Sequence, residues 1–181
     1  MESIIFTYFV KSNILFIPLL FAGICHLFVI HYDLFSFLKK PLSSKIFGTN
    51  KTYRGFIIIG TLSSLGVFLI ALSEAYLPNQ FKVGFPKNSY ELGFILGLMA
   101  MIFELPNSFL KRKLGAKSGE HPHKYKTFFY IYNQADSIIG CTIVYALFMD
   151  ITWNLLLSFF IYTSIMHLVV NFLFSLMKLR K

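Results

Sequence analysis

Apolar residues fall into five long stretches separated by polar, basic connections: Asn13–Tyr32, Gly55–Leu77, Glu91–Leu105, Phe128–Met149 and Thr152–Met177. None alternates as a half-buried strand would, and all but the third reach the ~20 residues that carry a helix across a bilayer. The pattern predicts an all-α membrane protein with about five transmembrane helices, forming one integral membrane domain over residues 1–181. The third stretch is the weakest. Its uninterrupted apolar core, Leu92–Phe103, is short for a span, and Pro106 is expected to break the helix just beyond it. Ile4–Val10 is apolar but short, and either extends the first helix outward or lies in the interface. It does not read as a cleaved leader, because no basic region precedes it. Gly93-x-x-x-Gly97 permits close helix contact.

Charge adds an orientation. The formal net charge of +9 would suggest nucleic acid in a soluble protein, but on a chain that is 56% hydrophobic it points to anionic headgroups and phosphorylated substrates. With five spans and the N-terminus outside, one group of inner basic residues is Lys39, Lys40, Lys45, Lys51 and Arg54. A second is Lys111, Arg112, Lys113, Lys117, Lys124 and Lys126, and a third is Lys178, Arg180 and Lys181. Only Lys11, Lys82 and Lys87 are left outside. A four-span arrangement splits the charges less sharply, so the positive-inside rule favours five spans, N-out and C-in, with cytoplasmic loops at about 33–54 and 106–127. Tyr90 and Trp153 fit the outer interface as aromatic anchors. Cys25 and Cys141 both lie in apolar stretches and read as small core residues rather than a disulfide.

Three clusters in these segments carry candidate chemistry. The first is Phe47-Gly-Thr-Asn-Lys-Thr-Tyr-Arg-Gly55, at the entrance to the second helix. Gly48 allows a tight turn, Asn50, Lys51, Thr52 and Arg54 supply donors, and a helix N-terminus favours an anion. This is not a P-loop, since the first glycine and the preceding strand are missing. In the second cluster, Glu104, Asn107, Ser108, Lys111 and Arg112 recur at three- and four-residue spacing and can share a helix face. The third sets Asn133, Asp136, Ser137 and Gly140 as one polar stripe on an apolar helix. An acid at that depth is costly unless a cation, a basic partner or water relieves it. Glu104 and Asp136 are therefore expected to approach one another and share one metal ion. His121 and His123 read as loop histidines, and His26, His31 and His167 as helix-packing donors. Asp33, at the inner end of the first helix, could join the site.

These blocks, in this order and spacing, resemble the CDP-archaeol synthase family and its bacterial relatives, membrane cytidylyltransferases distantly akin to CDP-diacylglycerol synthases. The resemblance rests on Phe47–Gly55, on Glu104-Leu-Pro-Asn-Ser-Phe-Leu-Lys-Arg112 and on Asn133-Gln-Ala-Asp-Ser137. It implies a five-helix membrane domain in the cytoplasmic membrane whose site faces the cytoplasm. The implied reaction is Mg²⁺-dependent transfer of CMP from CTP to a lipid phosphate, in phospholipid biosynthesis. Two residues depart from the family pattern: Asn133 stands where the last motif begins with Asp, and Glu104 where archaeal members carry Asp.

On that reading Glu104, Asn133 and Asp136 hold the metal. Lys51, Arg54, Lys111 and Arg112 neutralise the triphosphate and the departing pyrophosphate, and Asn50, Thr52, Asn107 and Ser108 add neutral hydrogen bonds. The expected partners are CTP, a lipid phosphate and membrane lipids, with no nucleic acid. Two other readings are a non-catalytic member that binds anionic lipid or nucleotide, and a transporter. Against the transporter stand the short chain and the lack of an inverted repeat.

Overall fold

The computed structural model describes residues 4–176. Lys178, Arg180 and Lys181, assigned to the inner side above, lie outside the described residues, as does the side chain of His123. The described chain folds into five α-helices: α1 (Ile4–His31), α2 (Tyr53–Ser73), α3 (Ser89–Lys113), α4 (Lys126–Phe148) and α5 (Trp153–Leu176). Ile4–Val10 thus extends α1. Each helix packs on the next in sequence and α5 returns to α1, so the five close into a ring. Direction alternates along the chain, which brings the α1–α2 and α3–α4 loops to one end of the ring. The α2–α3 and α4–α5 connections lie at the other.

Four helices, α1, α2, α3 and α5, are long and apolar enough to cross a membrane. The third stretch is therefore not the weak one. It forms a 25-residue helix that runs through Pro106 to Lys113. A proline ring removes one N–H and leaves the Ile102 carbonyl without its helical partner, but it does not prevent the next turn when that turn is held elsewhere. Here Asn107 and Lys111, both beyond the proline, bond across to α4. The helix that falls short on apolarity is α4, because Asn133, Gln134, Asp136 and Ser137 interrupt it. Gln134 and Asp136 point into the bundle and are buried.

The core runs through the middle of the ring, with Leu15 and Phe16 of α1, Val67 of α2, Leu96 of α3, Val144 and Tyr145 of α4 and Phe159 of α5 all buried. Tyr145 satisfies its hydroxyl by donating to the Leu15 carbonyl at 2.9 Å. On the outer surface Phe68, Leu72, Leu157, Ile161 and Phe172 are exposed, as a bilayer-facing surface requires.

Glycines bring α2, α3 and α4 closer than side chains would allow. A Cβ on Gly97 would lie 2.6 Å from the Ile59 carbonyl oxygen, and one on Gly93 2.5 Å from that of Ser63. On the other side of α3, a Cβ on Gly140 would meet the Met99 carbonyl oxygen at 2.6 Å. The atoms in the way are backbone, so nothing flexible can yield. Gly97→Ala is expected to cost about 1–3 kcal/mol by overpacking and to lower the unfolding temperature in detergent, whereas alanine at Gly23, inside α1 with open space around it, does not lower that temperature.

Candidate active site

At the end of the ring where the two basic loops meet, the chain must connect α1 to α2 and α3 to α4 while leaving polar groups usable. The first loop is pinned at both ends. Asp33 and Phe35 adopt left-handed backbone with φ of 47° and 54°, a conformation that holds only where surrounding contacts fix it. Arg54 supplies those contacts, donating from Nη1 to Asp33 Oδ1 at 2.7 Å and to the Leu34 carbonyl at 3.1 Å. Farther on, Leu42 donates to the Lys51 carbonyl and Tyr53 to that of Lys40, so the loop doubles back before α2. Thr52 caps α2, accepting from the Gly55 N–H at 3.3 Å.

The second loop lies against the first. Thr49 donates to Ser118 Oγ from both its backbone and its hydroxyl, each at 3.1 Å. Gly48 has φ +87°, and a Cβ there would lie 2.9 Å from Ser118 Oγ. Asn50 reaches the same junction: a Cβ on Gly119 would be 3.5 Å from its Nδ2.

Beneath the loops, α3 and α4 meet in a polar ladder that Lys51, just before α2, joins at one end. Lys51 forms an ion pair with Glu104. One turn on, Asn107 donates to Asp136 Oδ2 at 2.5 Å and to Asn133 Oδ1 at 3.2 Å. A further turn on, Lys111 donates to Asn133 Oδ1 at 2.9 Å, with its ammonium 5.8 Å from the centre of the Phe129 ring. The Ser137 N–H donates to Asp136 Oδ1 at 2.8 Å. Asn107 and Asp136 are only 1% and 3% exposed. Gly140 makes the ladder possible, since its missing Cβ lets α4 approach α3.

Of the residues read from sequence, Lys51, Glu104, Asn107, Lys111, Asn133 and Asp136 come together directly. Asn50 and Arg112 lie at the loop junction, and Ser108 is half-buried on the same stretch of α3. The Arg112 Cδ is 3.6 Å from a Cβ placed on Gly48, and its Nε and Nη1 are buried without a hydrogen-bond partner among the described residues. Buried donors of this kind are normally satisfied, so an anion fits here. Arg54 and Thr52 are different. Both are committed to the loop, through Asp33 and the α2 N-terminus. His26, read from sequence as a packing residue, stands beside this cluster, with Nε2 3.9 Å from a Cβ placed on Gly55 and within range of the charges of Glu104, Arg54 and Lys51. No local pattern signals His26, because its neighbours depend on how α1 packs on α2.

The donor set suits a hard divalent cation. Two carboxylates, Glu104 and Asp136, lie close enough for their charges to interact, amide oxygens stand beside them, and Asn107 Oδ1 is buried without a partner among the described residues. Oxygen-only sets of this kind suit Mg²⁺, which is usually held by one or two carboxylates plus phosphates. Asn133 is more constrained, since its Oδ1 already accepts from both Asn107 and Lys111. An amide oxygen has two lone pairs, so a cation there would displace one donor.

The CarS-like, CDP-archaeol synthase family model matches residues 38–181. The chain belongs to the CDP-archaeol synthase family. A CDP-archaeol synthase of Methanoregula boonei is 29% identical over 143 residues, covering 76% of this chain and 80% of the relative. One of Pyrobaculum islandicum is 30% identical over 137 residues, covering 76% and 73%. No solved structure is a significant match. Family membership and the four apolar helices identify an integral membrane protein. All three blocks that carry the family resemblance contribute to the one end of the ring described above.

The tie between Arg54 and Asp33 has a testable pH dependence. Hydrogen bonds from Lys39 and then from Arg54 hold the Asp33 carboxyl below the usual carboxylate range. A depressed folded-state value means that the tie contributes fully above the unfolded carboxylate pKa and fades as pH falls through the lower, folded value. Amide hydrogen exchange in residues 33–52 should therefore accelerate on acidification, after correction for intrinsic rates. Asp33→Asn should remove that dependence while raising exchange at neutral pH.

Proposed function

We propose that the protein catalyses Mg²⁺-dependent transfer of CMP from CTP to a lipid phosphate, forming a CDP-activated lipid and pyrophosphate for phospholipid biosynthesis. Family membership carries the coarser part: the chain is a CTP-dependent cytidylyltransferase acting on a lipid phosphate. One observation supports placing the reaction at the α3–α4 ladder. Glu104, Asn107, Lys111, Asn133 and Asp136, buried or half-buried, converge there with Lys51, near Arg112, whose Nε and Nη1 have no hydrogen-bond partner among the described residues.

Glu104 and Asp136, with Asn133, would hold Mg²⁺ together with the triphosphate, and the bound ion would polarise the α-phosphoryl group. Lys51, Lys111 and Arg112 neutralise the phosphates, Lys111 exchanging Asn133 for a phosphate oxygen. An oxygen of the lipid phosphate attacks the α-phosphorus, the bond to the bridging oxygen breaks, and pyrophosphate leaves carrying that electron pair. No protein nucleophile is required, since the attacking phosphate is already anionic near neutral pH. Asn50, Asn107 and Ser108 orient the nucleotide by neutral hydrogen bonds. Thr52 and Arg54 act through the loop, fixing where Lys51 stands. All five helices span the membrane, with the N-terminus outside and the ladder facing the cytoplasm, consistent with the basic residues gathered at that end.

Purified protein given labelled CTP, Mg²⁺ and lipid phosphates should form labelled CDP-lipid. Asp136→Asn should abolish turnover. Asn133→Asp should retain it and lower the Mg²⁺ concentration needed for half-maximal rate, because an added negative charge favours the cation. A wild type silent with every lipid phosphate tested would refute the reaction.

Orientation is checked separately, by cysteine accessibility in sealed vesicles. Cysteines at positions 82 and 117 should label from opposite sides, position 117 from the cytoplasmic one. Labelling from the same side would contradict the five-span arrangement.

A further inference from the structure

Three consecutive cations end α3, and they enter three different surroundings. Successive helical residues are turned by about 100°, so Lys111, Arg112 and Lys113 cannot serve one ligand surface. Lys111 is 8% exposed and points across to Asn133. Arg112 turns toward Gly48 at the loop junction. Lys113 is turned a further ~100° round α3 from Arg112 and so lies about 160° from Lys111; with Leu110, three residues before it, and Leu114, four residues after Leu110, it lines one face. That face and the start of α4 enclose a groove of about 540 Å³, lined by Leu110, Lys113, Leu114, Tyr125, Phe128 and Phe129. Its size falls within the ~300–1,000 Å³ usual for ligand sites.

The groove is apolar apart from one charge, Lys113, which is exposed. One of its walls is Phe129, buried and in contact with the Lys111 ammonium, so the groove adjoins the polar ladder directly. An occupant must therefore have an anionic group for Lys113 and hydrocarbon along the aromatic and leucine walls. A nucleotide lacks the second feature, an uncharged lipid lacks the first, and a zwitterionic lipid offers Lys113 only a singly charged phosphodiester that carries its own cation.

We propose that this groove binds the hydrocarbon chain of the lipid phosphate acceptor, with Lys113 contacting its phosphate monoester. This rests on the cytidylyl-transfer reading above and deepens it. The two substrates then reach Lys111 from either side, the nucleotide from the Arg112 side and the lipid along the Leu110–Leu114 face and past Phe129. Lys113 is a specificity residue for the acceptor that plays no part in holding CTP.

Binding can be read without turnover. The only tryptophan, Trp153, is 82% exposed at the other end of the ring. A Trp153→Phe, Phe128→Trp protein therefore carries its sole indole at the groove. In phosphatidylcholine vesicles, phosphatidate with brominated chains should quench this indole more strongly than an equal fraction of brominated phosphatidylcholine. Lys113→Gln should remove the difference. Leu114→Trp serves as the reporter if Phe128→Trp does not fold. Equal quenching by the two lipids, or an excess that survives Lys113→Gln, would overturn the proposal. In the transfer assay Lys113→Gln should raise KM for the lipid phosphate about fivefold, roughly 1 kcal/mol of binding, with KM for CTP unchanged. Arg112→Gln should show the reverse pattern. A lipid KM unaffected by Lys113→Gln would also overturn the groove assignment. Phosphate-dependent quenching in the reporter protein, with a wild type that transfers no CMP, would instead refute the reaction and leave the groove standing.

Discussion

A carboxylate in the middle of an apolar helix bundle has to be supplied with donors, and the arrangement of α3 and α4 follows from how Asp136 is supplied. Its oxygens accept from the Ser137 N–H and from Asn107. The second contact requires α3 to continue as helix past Pro106, since Asn107 must face α4 at the level of Asp136. It also requires the backbones to come close, which Gly140 permits. Once α3 is held there, the next turn delivers Lys111 to Asn133, and the turn before delivers Glu104 to Lys51. The glycine contacts of α3 with α2 hold the other side of the same helix. α3 is thus the central element, and most of the site is set by what it can reach.

That dependence explains which features local sequence reveals. The five helices, the Gly93–Gly97 contact and the Asn133–Asp136–Gly140 stripe all appear as periodicities, because each is fixed by the helix that carries it. The end of α3 does not. Pro106 signals a break locally, and only bonds from Asn107 and Lys111 to α4 explain why the helix goes on to Lys113. The apolarity of α4 misleads in the opposite direction: polar residues that weaken it as a span turn inward and find partners there. His26, Ser118 and the Arg54–Asp33 tie are invisible in one dimension for a common reason. Each joins elements whose proximity is a result of folding and not of spacing.

The basic residues, which look alike in sequence, divide by task. Arg54 secures a strained turn, Lys51 neutralises Glu104, Lys111 satisfies Asn133, and Arg112 keeps two buried donors that no described residue satisfies. Such a division suits a reaction in which a highly charged nucleotide must be bound beside a carboxylate pair without collapse of either. Asn133 fits the same logic. A neutral amide can accept from Lys111 and Asn107 together, whereas an acid at that position would add a third negative charge next to Glu104 and Asp136.

The most direct test is whether Glu104 and Asp136 together hold a divalent cation. Mn²⁺ titrated into the purified protein with CTP, and followed by electron paramagnetic resonance, should show a tightly bound ion. Glu104→Gln and Asp136→Asn should each weaken it about tenfold or more, since each removes one of two hard carboxylate ligands. Mn²⁺ affinity unchanged in both variants would contradict a shared carboxylate site at the α3–α4 ladder.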